Sequence, residues 1–428
     1  MSAAVLCTIV IILVCFFLKV PIFISLVTGC AYYFFVTPNA ALEILAQRLT
    51  SGIESTALLA VPFFVCAGVF MNYCGITSRI MNFCSVLTGR MCGGLAQVNI
   101  LLSTLMGGLS GSNIADAAME AKMLVPEMEK AGMSKSFSTV VTAFSSVITP
   151  LIPPGICMIL YGTMAGVSIG KIFIAGIAIG LLTCVMLMVL TYWISKKRGY
   201  TPIRTQAVTG REFWEAFRQA FFPLCLPVII IGGIRIGIFT PTEAGAVAII
   251  YSVVLGMAYG NLKGKEAFAA LKESVITTGS ILPIVGAAAI LSWILTKEQI
   301  PQTLSAMMVS SISNKYLFLI VVNVFLLLVG MFLEGTAATI ILVPLLAPIA
   351  AQFGIDEIQF AFIYIFNLSI GAISPPMGTL MYVTCGITGC KTKDFLVESV
   401  PYFLLFLLEL LVITFIPGAT TWILDLLY

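Results

Sequence analysis

The stretch FSSVITPLIPPGICMILYG, residues 144–162, sets Pro150, Pro153 and Pro154 beside the hydroxyls of Ser145, Ser146 and Thr149, in a segment otherwise apolar enough for a membrane. A proline inside a helix removes a backbone donor and clashes with the carbonyl four residues earlier. Pro153 and Pro154 should therefore strand the carbonyls of Thr149 and Pro150. The arrangement recurs downstream, where Pro375 and Pro376 should strand Gly371 and Ala372 beside Ser374. Oxygens without donors form a ligand set for a hard cation. Carbonyl dipoles with hydroxyls and no carboxylate cage suit a monovalent ion that must be released again. The chemistry expected is reversible Na+ binding at two discontinuous helices.

A second set of residues faces these breaks in the chain order. GGLSGSNIADAAM (107–119) and GMFLEGTAATIIL (330–342) are small, polar hairpin tips. Ser112 and Asn113 are candidate helix caps at the first tip, with Asp116 as either a capping partner or a site residue; Gly335 and Thr336 mark the second. A half-helix that starts at such a tip points its positive end inward, where an anionic group can dock. Arg48 is a further candidate, as an interfacial anchor or as a ligand to such an anion. FTPTEAGA (239–246) looks chemical but reads as a helix start, with Thr240 as cap, Pro241 first in the helix and Glu243 reaching back.

These residues need helices in a bilayer to position them. The chain has 428 residues, 60% hydrophobic and only 10% charged. Soluble domains carry about 25% charged residues, so this chain lacks the polar surface to face water and is read as a polytopic, all-α membrane protein. Residues 2–18 have no basic region before them and read as a first membrane helix, not a cleaved signal. The absence of histidine excludes HExxH zinc and Ser-His-Asp chemistry, and no P-loop motif is present. The twelve cysteines show no CxxC and read as packing residues. The net charge of +3 gives no case for nucleic acid.

Several apolar runs are too short to span, which suggests re-entrant hairpins and broken helices. Residues 39–53 are amphipathic and suit a helix along the interface, and 77–90 is a second candidate. The basic connection 196–218 should be cytoplasmic. Pro153 and Pro375 are 222 residues apart, and roughly that spacing also relates the two tips. Two features recurring in one order imply a repeat, and in this setting an inverted one. The expected divisions are 1–55 for N-terminal scaffold helices and arm; 56–195 for the first repeat, with hairpin 94–130 and broken helix 136–166; 196–280 for the loop and central scaffold helices; and 281–428 for the second repeat, with hairpin 315–350 and broken helix 358–387.

At these residues the sequence resembles the large membrane subunit of tripartite ATP-independent periplasmic (TRAP) transporters. The resemblance is carried by LLAVPFFVCAGVFMNYCGITSRI (58–80), GLSGSNIADAAM (108–119), LIPPGICMILYGTMAGVSIGKIFIAGI (151–177), FTPTEAGAVAIIY (239–251), LEGTAATIILVPLLAPIA (333–350), GIDEIQFAFIYIFNLSIGAISPPMGTLMYV (354–383) and PYFLLFLLELLVITFIP (401–417). It implies an elevator fold of the wider ion-transporter superfamily in the bacterial inner membrane, coupled to Na+. It implies a small four-helix membrane subunit and an extracytoplasmic substrate-binding protein as partners. Its substrates would be small carboxylates, such as C4-dicarboxylates or sialic acid. Carried onto this chain, one Na+ site falls between Ser103, Ser110 and the first tip on one side and Ser145, Thr149 and Pro150 on the other. The other falls between Gly330–Thr336 and Gly371, Ala372, Ser374 and Met377. Gly155 stands where the family often has serine, and Glu334 stands where the first repeat has Ser110. The chain begins at its first scaffold helix, so the small subunit is expected as a separate chain. The competing readings are a stand-alone Na+/dicarboxylate-type symporter, a membrane-embedded enzyme and a channel. The enzyme lacks a catalytic constellation, and the duplicated hairpins and breaks suit alternating access better than an open pore.

Overall fold

The computed structural model describes residues 3–18, 20–38, 41–54, 58–204, 206, 208–300, 302–303 and 314–427. All regular secondary structure among them is helical. Seven helices are long and apolar enough to cross a membrane, and two bent pairs would bring the number to nine.

One set of packed helices comprises α1 (Ala3–Phe17), α2 (Ile22–Val36), α3 (Glu43–Ser51), α4 (Ala60–Tyr73) and α5 (Ile76–Thr88), together with the central helices α12 (Gly210–Ile236), α13 (Pro241–Ala258) and α14 (Gly264–Lys297). Here α4 packs against α13 and α14, α1 against α2, and α5 against α12. The arm α3 has no buried residue and lies against α14. The segment 77–90 is the second candidate for a helix along the interface. It forms α5, bent 72° from α4, and its Ile80, Phe83 and Val86 are buried, because α6 and α12 pack against it. Thr240 and Glu243 close a reciprocal capping box at the start of α13, with Pro241 at its first turn.

The remaining helices are α6 (Gly94–Ser110), α7 (Asn113–Met123), α8 (Val125–Lys130), α9 (Lys135–Ser145), α10 (Ile156–Ala165) and α11 (Ile169–Arg198), then α15 (Lys315–Phe332), α16 (Gly335–Gln352), α17 (Glu357–Gly371), α18 (Thr379–Thr388), α19 (Thr392–Phe415) and α20 (Gly418–Leu427). Between α9 and α10 the chain tightens into a 3₁₀ turn, Ser146–Leu151, and then breaks. Every residue of α17 from Ile358 to Gly371 is buried, as is α9 from Phe137 onward. A helix covered on all sides has no water-facing stripe, so the polar side chains of these two, among them Thr142 and Asn367, find their partners inside the protein. The walls around these two include α6 and α8 beside α9, α15 and α16 beside α17, and α11 and α19 beside both.

The 222-residue spacing is a property of the fold. Ser112 caps α7 and Glu334 caps α16 at that spacing, and Lys135 opens α9 where Glu357 opens α17. Packing across the repeats is reciprocal: α10 lies on α16, and their counterparts α18 and α7 lie on each other. Such an exchange is the mark of a two-fold relation between two similar units.

Some expected boundaries shift. The divisions at 195/196 and 280/281 fall inside the continuous helices α11 and α14, so the connection from α11 to α12 is only residues 199–209 and keeps Arg204, while Lys196, Lys197 and Arg198 end α11 and Arg211 and Arg218 lie in α12. The division at 55/56 lies outside the described residues.

One close approach depends on glycine. A Cβ at Gly371 would sit 2.6 Å from the Gly330 Cα, and one at Gly330 would sit 2.9 Å from the Leu368 carbonyl oxygen. The crossing of α15 and α17 beside the second break is therefore a backbone-to-backbone contact.

Candidate functional site

The two tips and the two breaks meet around a cavity of about 390 Å³. The first tip contributes Ser112, Asn113 and Ala115, and the second Glu334, Gly335 and Thr336. Pro150 and Ala372 reach it from the breaks, and Cys157 and Thr379 from the helices that restart beyond them. The central helix α14 adds Thr277 and Ser280. A larger depression of about 510 Å³ near Gly166, Ile234 and Phe239 includes neither tip and neither break.

Each tip ends in a capped half-helix. Ser112 has extended backbone and accepts from the Ala115 N–H at 3.4 Å. Asn113, expected as a possible cap, is the first helical residue instead. Asp116 does not cap either: it is buried and accepts from the Thr149 hydroxyl at 2.8 Å, across the interface between α7 and the 3₁₀ turn. At the second tip the Glu334 carboxylate accepts from the N–H groups of Thr336 and Ala337, at 3.0 and 3.2 Å, and from the Thr336 hydroxyl. By cap position Glu334 is the counterpart of Ser112 rather than of Ser110. A positive helix end closed by a carboxylate differs electrostatically from one closed by a hydroxyl.

The breaks are less bare than their prolines imply. The Gly371 carbonyl accepts from the Ser374 N–H and the Ala372 carbonyl from the Leu380 N–H, both at 2.9 Å. The Thr149 carbonyl accepts weakly from the Ile152 N–H at 3.4 Å. Both Pro–Pro bonds are cis, and the helices on either side of the first are bent by 41°. A carbonyl oxygen has two lone pairs, so each keeps one for another partner. At Gly155 a Cβ would lie 2.9 Å from the Pro150 carbonyl oxygen.

The remaining candidates are distributed as follows. Ser145 is buried and donates to Asn99 Oδ1 at 3.0 Å, and Ser374 donates to the Ile370 carbonyl at 2.8 Å. Ser103 is buried and donates to Glu120 Oε2 at 2.7 Å. Gly330 lies at the crossing of α15 with α17, and Met377 is exposed beside the second diproline. Arg48 is exposed on α3 and is not among the residues lining the cavity. The Ser110 side chain lies outside the described residues.

Several site residues escape a reading of the sequence. Asn99 of α6 bonds Ser145 of α9, and in the second repeat Asn323 of α15 accepts from the Asn367 amide of α17 at 2.6 Å. Asn367 stands 222 residues after Ser145, so testing that spacing on single polar residues would have exposed it. Glu120 stands four residues after Asp116, on the same face of a helix. Thr277 and Ser280 carry no local signal, because only packing brings α14 to the tips.

Paired capped tips and paired breaks around one cavity, shared with α14, are the architecture of a membrane transporter. The family description "Tripartite ATP-independent periplasmic transporter, DctM component" matches residues 9–419. The chain is 40% identical to the sialic acid TRAP transporter large permease protein SiaM of Vibrio cholerae, over 86% of each chain. It is 39% identical to the 2,3-diketo-L-gulonate TRAP transporter large permease protein YiaN of Escherichia coli, over 88% of each. In fold it is similar to the crystal structure of the YdaH transporter of Alcanivorax borkumensis, described as having an unusual topology, with a TM-score of 0.64 over 90% of each chain at 14% identity. The chain belongs to the DctM family of TRAP transporter large permeases. It is a multi-pass protein of the bacterial inner membrane.

Proposed function

We propose that this permease imports a small organic acid, handed over by an extracytoplasmic binding protein, in symport with Na+ and by an elevator movement alongside a small membrane subunit. The observation that carries the reading is the single cavity bounded by both tips, both breaks and α14 of the scaffold. A ligand there touches the body that carries the breaks and the body against which it would move. The names of similar proteins, which include sialic acid, 2,3-diketo-L-gulonate and C4-dicarboxylate permeases, support a carboxylate. The α7 N-terminus offers the carboxylate a positive end closed only by the neutral Ser112. The free lone pairs at the Thr149, Gly371 and Ala372 carbonyls, near Ser145 and Ser374, support two Na+ positions.

Replacing Ser145 or Ser374 with alanine is expected to weaken Na+ dependence by on the order of 1 kcal/mol per lost ligand. Na+ titration of uptake in proteoliposomes reads this directly. Undiminished uptake in Na+-free buffer, driven by a proton gradient alone, would exclude Na+ coupling.

The repeats are expected to be inverted, with the two tips entering from opposite membrane faces and residues 199–209 on the cytoplasmic side. Single cysteines at Ser112 and Thr336, in a background lacking the twelve native ones, test this with an impermeant thiol reagent. Labelling of both from one side only, in every state, rules the inversion out.

A further inference from the structure

The first turns of α12 carry a ladder of aromatic rings. Phe213 stacks on Phe217, Trp214 and Phe221 each meet Phe217, and Phe221 meets Phe222, with centroids 5.6–6.2 Å apart. One side of this stretch is covered: Ala216, Ala220 and Pro223 are buried, and Phe83 of α5 closes on Phe213 and Phe217. The other side is open. Trp214, Arg218, Phe221 and Phe222 fall at i, i+4, i+7 and i+8, so they share one face, and all four are exposed.

Arg218 has no carboxylate to meet on that face. Glu215, one turn before it, is taken by Arg211 at 2.9 Å, and Glu212 accepts from the Thr209 N–H and lies 3.9 Å from Arg204. Among the described residues Arg218 makes no ion pair. The charges that precede it in the chain are mostly cations. Lys196 and Lys197 end α11, with the exposed Trp193 one turn earlier, and Arg204 follows in the connection. The depth of Arg218 can be read from the helix, which is apolar enough to cross a membrane. No other charged residue stands between Arg218 and Arg235, a run of about 25 Å, slightly less than the ~30 Å of a hydrocarbon core. An arginine at that edge extends its guanidinium to the lipid headgroups, and exposed tryptophans mark the same level.

We propose that this face of α12 binds an anionic phospholipid, with the phosphate on the Arg218 guanidinium, the headgroup beside Trp214 and an acyl chain along Phe221 and Phe222. Charge selects the lipid. A guanidinium donates two parallel N–H groups to phosphate oxygens. Lys196, Lys197 and Arg204 at this end of the molecule disfavour a headgroup that brings its own ammonium. A protein covering the same face would have to supply a carboxylate or bury an unpaired arginine. Bound lipid fixes the depth of α12, which packs on α5 and α13 and through α13 on α4. The inference goes beyond the transport reading and depends neither on Na+ coupling nor on which end of α12 is cytoplasmic.

The test uses the full chain with its small subunit in lipid vesicles. Phosphatidylglycerol with brominated chains is the anionic probe, and brominated phosphatidylcholine is the zwitterionic one. Quenching of Trp214 is read as the difference between the complex and its Trp214→Phe variant. Phosphatidylglycerol is expected to associate about fivefold more strongly than phosphatidylcholine. Arg218→Gln is expected to bring that ratio close to one while quenching by phosphatidylcholine stays the same, and Arg218→Lys to keep part of the preference. Lys171→Gln, at the other end of α11, is expected to change nothing. A preference that survives Arg218→Gln overturns the proposal, as does equal quenching by the two lipids in the unaltered complex. No quenching by either lipid means that the small subunit or a second copy covers the face, and overturns it too. Should Arg218→Gln fail to assemble, the lipid that stays with the unaltered complex through detergent purification, counted by mass spectrometry, gives a second reading. Enrichment in phosphatidylglycerol over its share of the membrane is expected, and a composition equal to that of the membrane overturns the proposal.

Discussion

Proteoliposomes that hold this chain and its small subunit are expected to accumulate substrate only when the cognate binding protein is added outside. The argument starts from the cavity. Among the described residues its lining includes no lysine or arginine, and its one carboxylate, Glu334, already closes the α16 N-terminus. Arg48 lies elsewhere, exposed on the arm. An anionic substrate would therefore meet one free helix end, worth about 0.3–1 kcal/mol and up to ~2 in a buried setting, and a set of hydroxyls. Most of those hydroxyls are already donating: Thr339 to the Gly335 carbonyl, Ser369 to the Ile365 carbonyl and Ser280 to the Thr277 carbonyl. They have lone pairs to offer, which an anion does not want. Such a site binds weakly and needs substrate delivered at high local concentration. The expected measurement is an on/off dependence on binding protein at micromolar substrate or below. Saturable Na+-driven uptake without it would instead favour a self-sufficient carrier.

Gly371→Val is expected to abolish uptake and to destabilise the fold by more than the ~1–3 kcal/mol of ordinary overpacking. The reason is that a Cβ at this position meets backbone, the Gly330 Cα at 2.6 Å and the Leu327 carbonyl oxygen at 2.9 Å. A flexible side chain could swing aside, whereas two helix backbones can only separate. Separation of α15 from α17 would pull apart the Asn323–Asn367 bond and the turn that carries Ser374. Gly386, in α18, has nothing within 4 Å of its would-be Cβ and serves as the control. Gly386→Ala should be tolerated, with a gain of about 0.5–1 kcal/mol from helix propensity. Thermal unfolding and uptake of both variants decide the matter, and equal tolerance at the two positions would refute the backbone-contact account.

The sequence by itself determined the solvent, the duplication and the location of the breaks. Low charge forbids a water-facing surface, and diprolines end a helix wherever they occur, so both conclusions follow from local chemistry. The 222-residue spacing was equally legible, because repeated motifs keep their order whatever the fold. The cap at Thr240 could be read for the same reason, since its partners lie within one turn. Tertiary structure alone decided which oxygens remain free. Pro375 and Pro376 do remove donors, but the Leu380 N–H returns to the Ala372 carbonyl from eight residues away, and no local rule foresees that return. Asp116 has the spacing of a capping residue, and only the approach of Thr149 turned it inward. The arm tells the same story in reverse: Arg48 has the chemistry of an anion ligand, and the docking of α3 on α14 left it on the surface. Identity of side chains fixes what each group can do, whereas the packing of helices far apart in sequence fixes which partner it meets.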